Sequence, residues 1–192
     1  MPGRVYSELR ELAADQFGYL TTRDAAELGV HPHRLQKMKD RGLLRRVSRG
    51  VFRFDDVPSS ALDHYAEAVL WPLEARAVLS HATALDLHAL CDINPTRIDV
   101  TVPAGFRTTR KPPQPIRLHR ENLDERDLTW HEGLPIVGVR RAILGAIDQR
   151  VGWNLIEQAI DTARRTGRLT PEQADELRAR RPVADASAGV TA

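Results

Sequence analysis

The sequence predicts an α+β protein built in two unequal parts, and three observations carry that reading. Residues 21–54, TTRDAAELGVHPHRLQKMKDRGLLRRVSRGVFRF, hold two short helical patterns around a glycine turn, followed by a β-hairpin pattern. The polar, proline-containing segment DDVPSS, residues 55–60, then breaks the pattern and marks a boundary. Beyond it, strand-like alternation and later helical periodicity describe a mixed α/β body with a small sheet and C-terminal helices. The predicted division is 1–56 for the helical module with its hairpin, 57–181 for the larger body, and 182–192 for a disordered tail of small residues.

Composition supports two folded parts. Of the 192 residues 42% are hydrophobic and 28% charged, ordinary values for a globular chain able to bury a core. The single cysteine, Cys91, excludes an internal disulfide. The sequence has no charged-then-apolar leader and no apolar run of membrane-spanning length, so a cytoplasmic protein without membrane contact is expected. The formal net charge of +2 conceals an asymmetry: residues 1–54 carry 11 Lys and Arg against 6 Asp and Glu, and the remainder carries 17 against 20. Opposite signs imply different partners for the two parts.

The elements follow in order. Apolar residues at Val5, Leu9, Leu12, Ala13 and Phe17 predict an amphipathic helix over 4–17, stopped by Gly18. Thr21 with Asp24 three residues on resembles a capping box, Ala25 and Leu28 face inward, and Gly29 ends that helix. Pro32 suits the first turn of the next helix, whose inward residues are Leu35 and Met38 and whose end is Gly42. Leu43 to Phe54, turning at Ser48-Arg49-Gly50, reads as a hairpin. Together these are a winged helix-turn-helix.

In the larger body, helices are expected over 61–71, 81–90 and from Val139 through Ile147, with a further one carrying Leu155, Ile156, Ala159, Ile160 and Ala163. Thr170-Pro171-Glu172-Gln173 starts a last helix with a capping box. Ile98, Val100 and Val102 alternate with Asp99 and Thr101, which predicts a half-buried strand with Asp99 on its outer side. Residues 105–115, with Arg107, Arg110, Lys111 and three prolines, read as an exposed loop, and shorter strands are expected at 116–119, 128–132 and 136–137.

With Leu35 and Met38 turned inward, the 100° step per residue turns His33, Gln36 and Lys37 outward, flanked by Arg34 and Arg41. Recognition helices meet base edges through their N-terminal half, which nominates His33, Arg34, Gln36 and Lys37 for the major groove of double-stranded DNA. Arg45, Arg46 and Arg49 on the hairpin are placed to reach phosphates or a minor groove, while Thr22 and Arg23 would fix register on the backbone. Between residues 34 and 53 stand eight Lys and Arg against Asp40 alone. The bland alternative, a solvated basic surface, does not account for their concentration on the helix and hairpin that this architecture presents to a duplex.

Other constellations are weaker. His81, His88 and Cys91 lack the second pair of ligands that a zinc site requires, so structural roles are expected and no metal or cofactor is assigned. Asp99 with His119 and Glu121 invites a magnesium-dependent nuclease reading, but no acid-then-lysine pair accompanies it, and no enzymatic activity is predicted. The acidic stretch Glu121, Asp124, Glu125, Asp127 and Glu132 reads as a solvated loop or a surface for a basic partner.

The winged helix followed by SHATALDLHAL (80–90), INPTRIDVTVP (93–103), GLPIVGVRRAILGAID (133–148) and RRTGRLTPEQADEL (164–177) resembles the AbiEi family of antitoxins from bacterial toxin-antitoxin systems. The likeness spans roughly residues 15–180 and rests on the order of the motifs. At Val139-Arg140-Arg141-Ala142 the chain departs from the family's small-polar then Arg-Thr pattern. The resemblance implies a repressor of its own operon that binds promoter DNA repeats, with self-association on DNA left open. It also implies that the protein counters a co-encoded nucleotidyltransferase-like toxin, directly or functionally. The rival expectation is a stand-alone winged-helix transcriptional regulator whose second domain senses a ligand or dimerises.

Overall fold

A computed structural model of the chain describes residues 3–182, and among these residues it is α+β, with eight α-helices and two sheets. The expected tail lies outside the described residues apart from Pro182. Helix α1, Arg4–Ala14, stops three residues earlier than its apolar stripe suggests. Phe17 and Gly18 both take positive φ, and Gly18 donates back to the Ala13 carbonyl at 2.7 Å, so the last stripe residue belongs to the turn.

Strand β1, Tyr19–Thr21, follows, then α2, Thr22–Glu27, and α3, Pro32–Asp40. Thr21 caps α2 reciprocally: its Oγ1 accepts from Asp24 N at 3.1 Å, and Asp24 Oδ2 accepts from Thr21 N at 2.8 Å. The hairpin is β2, Arg45–Ser48, and β3, Val51–Arg53. The sheet order is β1-β3-β2, both pairings antiparallel, with Thr21 opposite Val51. Leu9, Ala13, Leu20, Ala25, Leu35, Met38, Phe52 and Phe54 close a core beneath the three helices.

The larger body begins with α4, Asp63–Leu70. Strand β4, Val78–Leu79, leads into α5, His81–Leu87, and β5 is Ile98–Val102. Strands β6, Ile116–Arg120, β7, Leu128–His131, and β8, Leu134–Val137, precede α6, Val139–Asp148, α7, Trp153–Arg165, and α8, Pro171–Arg178. The sheet order is β6-β5-β4-β8-β7, in which β5 runs parallel to β6, and β4 parallel to β8. Helix α4 packs against β4, β5 and β8, while α5 packs against β5 and α6. All five residues of β5 are buried, which corrects the half-buried strand with an outward Asp99: β5 is interior to the sheet and covered on both faces.

The two parts share a core. Tyr19 and Val51 belong to the same hydrophobic cluster as Trp71, Val78 and Val100, and Val47 and Leu73 pack against it. Gly50, at the hairpin turn, has φ +80°, and a Cβ there would lie 2.6 Å from Leu73 Cδ1. Arg53, counted above among the basic residues of the hairpin, is buried at 3% exposure. Its guanidinium donates to the Phe54 and Pro58 carbonyls and pairs with Asp63 at 3.1 Å. Residues 55–60 are likewise tied down, through Arg45–Asp55 and Arg10–Asp56, each at 2.8 Å.

Candidate nucleic-acid interface

Helix α3 starts at Pro32, with His31 as its cap accepting from the His33 N–H at 3.2 Å. Leu35 is fully buried and Met38 nearly so, which orients the rest of the helix. His33, Arg34, Lys37 and Arg41 are exposed. None of these four is in an ion pair among the described residues, whose carboxylate pairs on and around this helix go to Lys39, Arg23 and Arg45. Gln36 differs: it is half-buried, and its amide donates to Asp40 at 3.0 Å, one turn on. A base contact by Gln36 therefore requires that local bond to open.

On the hairpin Arg45, Arg46 and Arg49 are all exposed. Arg45 pairs with Asp55 at 2.8 Å, and Arg46 Nε donates to the Ser48 carbonyl at 3.2 Å. Arg23 pairs with Glu27 at 2.9 Å. Exposed pairs of this kind contribute no more than about 1 kcal/mol, so a phosphate can displace them. Thr22 is half-buried at the wing: its N–H donates to Gly50 O at 2.9 Å, joining the start of α2 to the hairpin turn. The fold thus gathers His33, Arg34 and Lys37 on α3 with Arg41 at its C-cap, and ties the start of α2 at Thr22 to the hairpin turn that carries Arg49.

Three arginines outside this set stand next to the wing. Arg107 and Arg110, from the loop between β5 and β6, and Arg120, ending β6, line one concavity with Arg49. Sequence spacing gave no cue to this, because the parallel pairing of β5 with β6 is what returns Arg120 to the loop.

Behind β5 lies a polar cluster. Asp99, fully buried, accepts from Arg117 Nε at 2.6 Å, Arg117 Nη2 at 3.1 Å and Gln149 Nε2 at 2.9 Å, and contacts His119 Nε2 at 2.8 Å. Burial opposes its charge, but the hydrogen bonds and charges of His119 and Arg117 outweigh burial and hold its carboxyl below the ordinary range. The His81 and His119 rings stack with centroids 3.6 Å apart. Burial, reinforced by His119, drives His81 down to about 3. Both oxygens of Asp99 are engaged by protein donors, and Glu121 pairs instead with Arg141. His88 Nε2 lies 2.8 Å from the Val137 carbonyl, away from His81. Among the described residues no group of three His, Cys, Asp or Glu side chains is placed to hold a metal ion, and no helix is long and apolar enough to cross a membrane.

A helix-turn-helix with a hairpin wing, carrying exposed cations on its second helix and wing, defines the class by fold: a winged helix-turn-helix. Residues 7–54 match the family model described as "Transcriptional regulator, AbiEi antitoxin", so over that segment the chain is similar to that family. Among solved structures, the RV2827C protein from Mycobacterium tuberculosis is similar over 94% of this chain and 73% of its own, with 18% identity and a TM-score of 0.51. At that identity the likeness shows the fold alone. No curated protein matches the sequence.

Proposed function

We propose that the protein is an antitoxin and transcriptional autorepressor that reads promoter DNA through its winged helix and counters a co-encoded nucleotidyltransferase-like toxin. The observation that carries the DNA reading is the set of exposed cations on α3 and the wing, inside the segment that matches the AbiEi regulator family. Arg34 and Lys37, with His33, would meet base edges, and Gln36 would do so after leaving Asp40. Arg41, Arg45, Arg46, Arg49, Thr22 and Arg23 would contact the backbone. No catalytic step, metal or cofactor enters this reading.

Gel shifts with promoter duplex across a salt series test it. Replacing Arg46 or Arg49 by Ala should lower the slope of log affinity against log salt by about 0.9 each, because each lost phosphate contact releases one fewer counterion. Arg34→Ala should instead relax base preference by about 1–3 kcal/mol at one position. Unchanged slopes for both wing variants would overturn the wing assignment. Antitoxicity is tested separately, by co-expressing the full chain with the product of an adjacent nucleotidyltransferase gene; failure to restore growth defeats that half of the proposal.

One observation favours the second reading, a stand-alone regulator that senses a ligand. A groove of about 480 Å³ runs between the winged helix and the larger body, lined among others by Phe17, Arg23, Leu73, Arg76 and the exposed Trp130. A small molecule that changes operator affinity and quenches Trp130 fluorescence would support it.

A further inference from the structure

Phe106 is buried and anchors the loop between β5 and β6 to the core. Arg107, Arg110 and Arg120, with Arg49 from the wing turn, line a concavity of about 850 Å³ whose single acidic lining residue is Glu74. Three of these guanidiniums are held in place by backbone carbonyls. Arg107 Nη1 donates to Ala104 O at 2.9 Å, and Arg120 Nε to Phe106 O at 3.3 Å. Arg110 lies over the Trp71 ring at 4.6 Å, and its two terminal nitrogens donate to Trp71 O at 2.8 Å and Arg49 O at 3.4 Å.

Carbonyl bonds position a guanidinium without cancelling its charge. None of the four arginines forms an ion pair among the described residues, and each positioned one retains N–H donors of its five that no carbonyl uses. Four arginines line one hollow against a single carboxylate, so an anion entering it would meet net positive charge. Planar forks of donors match the tetrahedral oxygens of phosphate, which accept two parallel bonds from each fork. Arg49 comes from the winged helix and the other three from the larger body, so the hollow exists only in the docked arrangement.

We propose that this junction is a phosphate-recognition site shared between the wing and the larger body. The phosphate is supplied either by the backbone of a duplex lying along the wing or by a free phosphorylated small molecule. The proposal rests on the DNA reading only for the first source.

The full chain and its Arg107→Gln/Arg120→Gln double variant separate the outcomes; both side chains are exposed, and Arg110 with its Trp71 stack is left intact. In one arm duplex affinity is followed across salt. In the other the melting temperature is measured in millimolar tripolyphosphate against sodium chloride of equal ionic strength. A salt slope reduced by about 1.8 in the variant, two contacts' worth, assigns the site to the DNA backbone. A rise in melting temperature with tripolyphosphate, seen in the wild type and lost in the variant, assigns it to a phosphorylated small molecule. Equal slopes together with a tripolyphosphate effect that is absent, or that survives in the variant, overturn the site. A wild type that binds no duplex at low salt defeats the DNA reading of the winged helix, and the tripolyphosphate arm then decides the junction by itself.

Discussion

Asp99 and His81 are buried groups whose protonation is coupled to folding. His81 is 7% exposed, stacked on His119 and pushed down to about 3, and burial lowers His88 as well. A base whose folded pKa lies below its unfolded value binds more protons in the unfolded chain, so its contribution to stability falls as pH drops below the ordinary histidine range, near 6.5. Asp99, held below its ordinary value, adds a loss of the same sign at still lower pH. Unfolding free energies from urea titrations between pH 7.5 and pH 4.5 should therefore fall once the pH drops below about 6.5, by up to about 1.4 kcal/mol per pH unit for His81. His81→Gln should flatten part of that slope; an unchanged slope would show that folding does not depress the protonation of His81. Gly145 adjoins His81, since a Cβ there would stand 3.0 Å from the His81 ring. Alternation along β5 suggested an outward Asp99 because it assumes one solvated face, and nothing local in the strand reveals that helices cover both.

The elements of the winged helix are the most readable part of the chain. Their ends are set by local chemistry: the Thr21–Asp24 capping box, Pro32 at the first turn of α3, and positive-φ glycines at 29 and 42. Thr170–Gln173 sets the start of α8 in the same way. Strands β1 and β4 escaped notice because three and two residues are too short to show a period. The wing was readable as a hairpin, but its contact with Leu73 was not, since that contact joins residues far apart in the chain. Gly50→Ala tests the contact. It forces a residue with a side chain into φ +80° and drives its Cβ toward Leu73, which should cost about 1–2 kcal/mol in urea denaturation. A neutral result would mean that the turn relaxes away from the larger body.

The two parts of the molecule do not behave as beads on a string. DDVPSS reads as a tether by composition, yet Asp55 and Asp56 are paired back to Arg45 and Arg10, and Arg53 is buried against Asp63. Removing residues 1–56 would uncover the side of the shared cluster that Tyr19 and Val51 cover. Residues 57–192 alone should accordingly melt well below the full chain and bind a hydrophobic dye; a truncated body that melts like the full chain would contradict the shared core. Separating the proposed DNA binding from the proposed antitoxicity is therefore better done with surface charges such as Arg34 and Lys37 in the intact protein. The charge asymmetry along the sequence pointed to two partners, and the structure adds that the basic loop of the nominally acidic body stands beside the wing.

The pinned wing turn sets an angular phase as well as a contact. With Gly50 against Leu73, and Arg110 bonded to the Arg49 carbonyl, the larger body would project in one direction from DNA held as proposed above. Two copies on neighbouring repeats would then point the same way when the repeats are separated by whole helical turns of about 10–10.5 base pairs, and opposite ways at half-turns. Inserting five base pairs between two such repeats would turn one body to the far side of the duplex, so under the proposed repression the spacing of the repeats would govern which surfaces of adjacent copies can meet.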